Sequence, residues 1–278
     1  MTISFTIEAV AGTDPGMIRK INQDSVLAYV RPNTLGEAIG LLIVADGMGG
    51  HQAGDVASKL AVDTIRDNLS WLLDQGDEGA TVIAPSVQSL DEEREVSKLE
   101  ARLVFAIEEA NRAIYAYSQE HPARAGNLGC TITCAIVQGD TAVVANVGDS
   151  RTYYLGQKGL VQITDDHSYV GQLVRDGHLE ESEIYAHPQR NVITRALGSQ
   201  EEVTVDTWIC TLNDGDRLML CSDGVWEMIQ NSSEIEDILK LDNLELAVDE
   251  MIKKANEYGG TDNIGVVIAE VFAEELDL

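Results

Sequence analysis

Three separate apolar runs in this chain lead the backbone straight into an aspartate, and that placement restricts the folds open to it. Leu41-Leu42-Ile43-Val44-Ala45 runs into Asp46-Gly47, Val143-Val144-Ala145-Asn146-Val147 into Gly148-Asp149, and Leu218-Met219-Leu220-Cys221 into Ser222-Asp223-Gly224. A fourth carboxylate stands at the other end of such a run, where Asp262-Asn263 directly precedes the apolar stretch 264–269. Short runs rich in Val, Ile and Leu and bounded by Gly or Asp read as buried strands, so the carboxylates belong at the rims of a sheet. Strand ends that converge there make an all-oxygen nest. Hard dications such as Mg²⁺ and Mn²⁺ choose carboxylate, carbonyl and water ligands, so the pattern invites a metal site built by long-range folding.

Asp-Gly is also a favoured two-residue hairpin turn, and the flanks separate the two readings. Asp46-Gly47 is followed by Met48-Gly49-Gly50-His51-Gln52-Ala53-Gly54 and then by helical spacing at Val56, Ala57, Leu60, Ala61, Thr64, Ile65 and Leu69. Asp223-Gly224 is followed by Val225-Trp226-Glu227-Met228, again no strand. Asn213-Asp214-Gly215-Asp216, between the strand-like stretches 207–212 and 217–220, reads as an ordinary hairpin turn.

Periodicity predicts strands at 3–10, near 25–31 and at 39–45, a helix over 54–72, and a long amphipathic helix over 92–119. Strands follow at 131–137, 141–147, 151–155 and 160–163, then short helices and loops over 165–187 and a hairpin within 203–221. Helices near 233–239 and 243–257, the second stopped by Gly259-Gly260, precede a last strand at 264–272. Strands cluster and helices come in consecutive pairs, which is not a βαβ alternation. The fold class expected is α/β, a four-layer α-β-β-α sandwich of two antiparallel sheets flanked by helices. One domain over 1–278 is expected, with a loop insertion around 75–97 that carries Gly76-Asp77-Glu78-Gly79 and Asp91-Glu92-Glu93-Arg94.

Composition narrows the function. A net charge of −28 and a pI near 4.3 argue against duplex nucleic acid or an anionic membrane surface as partner. The same field repels a phosphate ester, so a site for one must reverse the global sign locally, as dications and an arginine do. No uncharged apolar stretch approaches the roughly 20 residues of a membrane span, and the expected location is the cytoplasm. Cys130, Cys134, Cys210 and Cys221 lie in strand-like segments and form no C-x-x-C pair, and Cys130 and Cys134, four apart on one strand face, read as core residues. The five histidines lack zinc-ligand spacing, and serine-hydrolase, P-loop, zinc-protease and EF-hand motifs are absent from the sequence.

Ordered blocks along nearly the whole chain resemble the PPM family of metal-dependent protein phosphatases, the protein phosphatase 2C class, in its bacterial serine/threonine form. They run from Gly16-Met17-Ile18-Arg19-Lys20-Ile21-Asn22-Gln23-Asp24-Ser25 through Val44-Ala45-Asp46-Gly47-Met48-Gly49-Gly50, Gly129-Cys130-Thr131 and Asn146-Val147-Gly148-Asp149-Ser150-Arg151. Thr164-Asp165-Asp166-His167-Ser168, the stretch 187–198, Cys221-Ser222-Asp223-Gly224-Val225-Trp226 and Gly260-Thr261-Asp262-Asn263 complete the set. The resemblance implies hydrolysis of phosphoserine and phosphothreonine in proteins by in-line attack of a metal-bridging water, with no phosphoenzyme; phosphotyrosine is left open. It implies two Mg²⁺ or Mn²⁺ ions, bridged by Asp46, with the Gly47 carbonyl on one and Asp223 and Asp262 on the other. Asp149 would hold a third, weaker ion, Asp24 would orient metal-bound waters, and Arg19 would clamp the substrate phosphate. The implied partners are phosphoproteins and, in opposition, a Ser/Thr protein kinase, with the enzyme a monomer.

Three positions depart from that pattern or vary within it. Met48 stands where eukaryotic members carry a histidine proposed as general acid, which passes leaving-group protonation to a metal-bound water or leaves it unassigned, with His51 as a nearby candidate. Gln23 stands where some relatives have an acid. The segment 165–190 resembles the family's variable flap, and Arg175, Arg190 and Arg195, in or next to it, are expected to meet substrate or to pair with Glu180, Glu181 and Glu183.

Overall fold

The computed structural model describes residues 2–31, 38–49, 53–73, 88–122 and 128–276. Two antiparallel sheets lie face to face. The first runs in the order β1 (Thr2–Asp14), β11 (Ile264–Leu276), β10 (Arg217–Cys221), β7 (Arg151–Gly156) and β8 (Gly159–Gln162). The second runs β2 (Asp24–Arg31), β3 (Ile39–Met48), β5 (Ile132–Gln138), β6 (Thr141–Val147) and β9 (Asp206–Thr211), with β4 (Gly129–Cys130) pairing with the tip of β3.

Helices α1 (Gly54–Leu73) and α2 (Gln88–Glu120) cover the second sheet through a core that includes Leu41, Ile43, Ile65, Leu103 and Ile107. Between β8 and β9 lie the short α3 (Tyr169–Arg175) and a single 3₁₀ turn at Glu181–Ala186. After β10 come α4 (Asp223–Trp226), α5 (Ser232–Leu239) and α6 (Leu244–Glu257). Helix α6 buries Leu244, Ala247, Val248, Met251 and Ala255 at helical spacing against the first sheet. Its N-terminus is capped by Asn243, whose side chain accepts from the Leu246 N–H at 2.8 Å. The α-β-β-α sandwich expected from the sequence is therefore the fold observed.

Strand parity fixes what fills the seam between the sheets. Successive side chains alternate faces, so Leu41, Ile43 and Ala45 of β3 meet helices while Leu42 and Val44 meet the other sheet. On β10 Met219 and Cys221 turn to the helices, and Leu218 and Leu220 to the seam. Val267 and Ala269 of β11 and Val144 of β6 complete that inner layer.

Some details differ from the sequence expectation. No hairpin exists within 203–221, because β9 pairs with β6 in one sheet while β10 pairs with β7 and β11 in the other. The Asn213–Asp216 turn instead carries the chain between sheets. Asp216 Oδ2 accepts from Asn213 N at 2.7 Å and from the Tyr154 hydroxyl at 2.6 Å, and Gly215, at φ +76°, donates its N–H to Val271 O on β11. Helix α2 begins at Gln88, so the second half of the expected 75–97 insertion is helical, and residues 74–87 lie outside those described. The four cysteines are unpaired, with Cys130, Cys134 and Cys221 buried. Among the described residues no helix is long and apolar enough to cross a membrane.

Candidate metal centre

Asp24 and Asp46 continue the seam-facing parity of their strands past the last apolar residue. Asp46 follows Leu42 and Val44 at two-residue steps along β3, and Asp24 starts the β2 row that continues with Val26, Ala28 and Val30. Ladder register sets the two aspartates directly opposite one another. Ser222, next in parity after Leu220 on β10, reaches across from the other sheet and donates to Asp24 Oδ2 at 2.6 Å. Gly265 N donates to Ser222 Oγ at 2.8 Å, so β11 fixes that hydroxyl.

Asp223 opens α4 immediately after β10, and Asp262 precedes β11. Asp149 sits where the chain crosses from β6 to β7, just past Gly148, which adopts φ +119° and could not carry a Cβ against Thr131. Helix α4 is tied to that crossing, because Trp226 Nε1 donates to Asp149 O at 3.0 Å. Asp24 and Asp149 are buried, while Asp46, Asp223 and Asp262 keep an edge open to solvent.

These carboxylates press on one another. Burial, then the charges of Asp24, Asp223, Asp149 and Asp262, push Asp46 well above the usual carboxylate range. Asp223 is raised by burial and by the charges of Asp149, Asp262, Glu227 and Asp24. Asp24 is raised to about 7 by burial first, against the opposing Ser222 hydrogen bond. Asp149 is raised to about 7 by burial and the Asp166 charge. One oxygen each of Asp24, Asp149 and Asp223 is buried without a hydrogen-bond partner. Buried anionic oxygens without partners are costly, and a cation is the group that satisfies several at once.

The donor set fits a hard dication: it is all oxygen, and it includes a main-chain carbonyl kept clear by glycine. A Cβ on Gly54 would lie 2.6 Å from Gly47 O and 2.5 Å from the Gln23 amide nitrogen. Gly47 is equally constrained, since its own Cβ would lie 2.0 Å from Gly54 O. Among the described residues no three acidic, His or Cys side chains are already closed into a metal cage. Asp262 Oδ2 is engaged instead by Arg19 NH2 at 2.6 Å, in a half-exposed pair.

Met48 has its side chain beside Gly129, where a Cβ would stand 3.7 Å from Met48 Cε, and it lines a cleft of about 840 Å³ with Gly49, Tyr115, Asn191 and Thr194. His51 and Gly50 lie outside the described residues. Of the flap arginines, Arg195 pairs with Asp206 at 2.6 Å, Arg190 approaches Glu227 at 3.8 Å, and Arg175 donates to Asp166 O at 2.8 Å. Those partners are not the expected Glu180, Glu181 and Glu183. His167 accepts from Gly148 N at its Nδ1 and meets Asp206 through Nε2, and burial lowers its pKa. It braces the β6–β7 crossing.

Sequence reasoning missed Ser222, Asn263 and Gly54. Asn263 holds the loop before β2: its side chain accepts from Gln23 N at 2.8 Å and donates to Pro15 O and Ile21 O. Each of these residues lies within or just outside a block already singled out, and only the three-dimensional crossing of strands reveals its part.

Residues 19–259 match the family model for protein phosphatase 2C. The chain is 39% identical over 259 residues to the serine/threonine phosphatase stp of Listeria welshimeri, covering 93% of each chain. It is 34% identical over 267 residues to the protein phosphatase PhpP of Streptococcus pneumoniae, covering 95% of this chain and 98% of that one. Its fold superposes, with a TM-score of 0.76 and 32% identity, on the catalytic domain of the serine/threonine protein phosphatase PstP crystallised with two manganese ions. That match covers 97% of this chain and 100% of the other.

Proposed function

This chain belongs to the protein phosphatase 2C family, and from that premise we propose that it removes phosphate from phosphoserine and phosphothreonine of proteins with the help of two Mg²⁺ or Mn²⁺ ions. The observation that carries the reading is the carboxylate cluster at the end of the seam, with buried oxygens on Asp24, Asp149 and Asp223 that no protein group satisfies. Asp46 would bridge the ions, Gly47 O would serve one, Asp223 and Asp262 the other, and Asp149 a weaker third.

When bound, such a pair of ions activates water for in-line attack on phosphorus and neutralises charge on the phosphoryl oxygens. The chain's own residues do the rest. Asp24, fixed through Ser222, orients water beside Asp46. Arg19 receives the substrate phosphate, since its guanidinium fork matches two phosphate oxygens and stays charged. Arg19 lies beside Asp262, which would hold one of the ions, so the same arginine is within reach of a phosphate placed at that site. Met48 has no proton to give, so protonation of the leaving serine or threonine oxygen falls to another donor.

On this reading residues 1–278 work as one domain and one monomer in the cytoplasm, opposing a Ser/Thr protein kinase. The unpaired cysteines suit a reducing compartment. Phosphate release from a phosphothreonine peptide, measured with Mn²⁺, Mg²⁺, Ca²⁺ or EDTA for the native chain and Asp223→Asn, tests it. Release that needs Mn²⁺ or Mg²⁺ and is abolished by EDTA and by the substitution supports the proposal. A folded protein that releases none under any metal overturns it.

A further inference from the structure

The loop between β1 and β2 carries Arg19 among apolar side chains that face water. Met17 and Ile18 are each 68% exposed, and Ile21 is 42% exposed. Single apolar residues on a surface need no explanation, whereas a group of them within one short loop marks a contact site.

The loop is also firmly held. Asn263 donates to Pro15 O at 2.9 Å and to Ile21 O at 3.0 Å, bracketing it from both sides. Met17 N donates to Gly260 O at 2.8 Å. A Cβ on Gly260 would stand 2.9 Å from Met17 Cγ, and one on Gly16 would stand 2.2 Å from Asp262 O, so both glycines let the loop lie close. Its apolar side chains are thus presented by pinned backbone, beside the Arg19–Asp262 pair at the rim of the carboxylate cluster.

We propose that Met17, Ile18 and Ile21 form a recognition surface for the substrate polypeptide, accepting an apolar side chain that flanks the phosphorylated residue. The inference rests on the phosphatase reading above. A phosphate held by Arg19 brings the residues next to it over this loop, because an extended chain advances only about 3.3 Å per residue. With a net charge of −28 the protein's field opposes acidic flanks, and apolar contact supplies an attraction that this field does not counter. The occupant that fits is a phosphoprotein segment with a large aliphatic side chain beside the phosphoresidue.

The test compares kcat/KM for two phosphothreonine peptides of one sequence, with leucine on both sides of the phosphothreonine in one and serine in the other. Para-nitrophenyl phosphate, which has no flanks, is the reference. The native chain is expected to favour the leucine peptide about tenfold, as partial burial of one such side chain allows. Met17→Ser/Ile18→Ser is expected to cut that preference to about twofold or less, each enzyme's peptide rates being divided by its own para-nitrophenyl phosphate rate so that any loss of folded protein cancels. Leu246→Ser, which removes a side chain 52% exposed on α6, keeps the preference. Equal rates on the two peptides, or a preference that survives the double substitution, overturn the recognition surface and leave the phosphatase reading standing. No hydrolysis of any of the three substrates overturns that reading, and the surface with it.

Discussion

Asp24 and Asp46 stand directly opposite one another in the β2–β3 ladder. Like charges at opposed positions destabilise a sheet, so the sequence has placed a repulsion where the strand end would otherwise add stability. Burial and mutual repulsion raise Asp24, Asp46, Asp149 and Asp223, so a cation entering among them would compete with protons. Asp24 and Asp149 titrate near 7 in the folded chain against an ordinary 3.8, so folding favours their protonated forms. Stability from these two groups is full below about 3.8 and is lost as pH rises towards about 7. Melting temperatures of EDTA-treated protein are expected to fall between about pH 4 and about pH 7 through this contribution. Mn²⁺ is expected to raise the melting temperature more at the upper pH than at the lower, because binding must displace those protons. A Mn²⁺-induced shift that does not grow with pH contradicts the description of the cluster.

Gly54 keeps the Gly47 carbonyl uncovered, and Gly54→Ala separates that duty from helix stability. Alanine is the better helix former by about 1 kcal/mol, yet here its Cβ would lie 2.6 Å from Gly47 O. Manganese affinity measured by calorimetry is expected to fall about 10- to 100-fold, the scale seen when groups supporting a metal site are disturbed. Unchanged affinity would remove the carbonyl from the ligand set.

Arg19→Ala should be nearly silent in a thermal melt. The Arg19–Asp262 pair is half exposed, and such pairs contribute about 0–1 kcal/mol. Activity should respond strongly, with kcat/KM on a phosphopeptide lowered about 10- to 100-fold, corresponding to the roughly 1.5–3 kcal/mol of a charged hydrogen bond. A large loss of stability with a small loss of activity would make Arg19 a structural residue.

Arg151 presents the reverse balance. It is 4% exposed, forks onto Asp166 with bonds of 2.9 and 2.7 Å, and lies 3.7 Å over the Trp226 ring. Arg151→Met leaves the Asp166 carboxylate buried without its cation, at a cost of about 3–5 kcal/mol. A drop of roughly 10 °C in melting temperature is expected, and Arg151→Met/Asp166→Leu should recover most of it. No recovery in the double variant would show that Arg151 stabilises through Trp226 rather than through Asp166.

The position of the site was legible because two local rules coincide in it. Apolar runs of strand length predicted buried strands, and each run of the first three led into an aspartate, so the carboxylates fell at sheet ends whatever the sheet order. The exchange of sheets between β9 and β10 was not legible, since an Asp-Gly turn looks the same whether it joins neighbouring strands or crosses a sandwich. Ser222 and Gly54 were hidden for a related reason. Their parts depend on Asp24 and Gly47, which are remote in sequence and meet them only through the packing of one layer on another. The four-residue helix α4 is too short to show a period.

The most direct measurement is the number of manganese ions that the native chain and Asp46→Asn bind, by calorimetry at a pH above the cluster's titration, with proton release recorded in the same experiment. The native chain is expected to bind two ions tightly with release of protons, and Asp46→Asn to lose tight binding of both, because in the proposed site Asp46 would serve both. Two tight ions retained by folded Asp46→Asn, or none bound by the native chain, would contradict a paired-metal centre at the end of the seam.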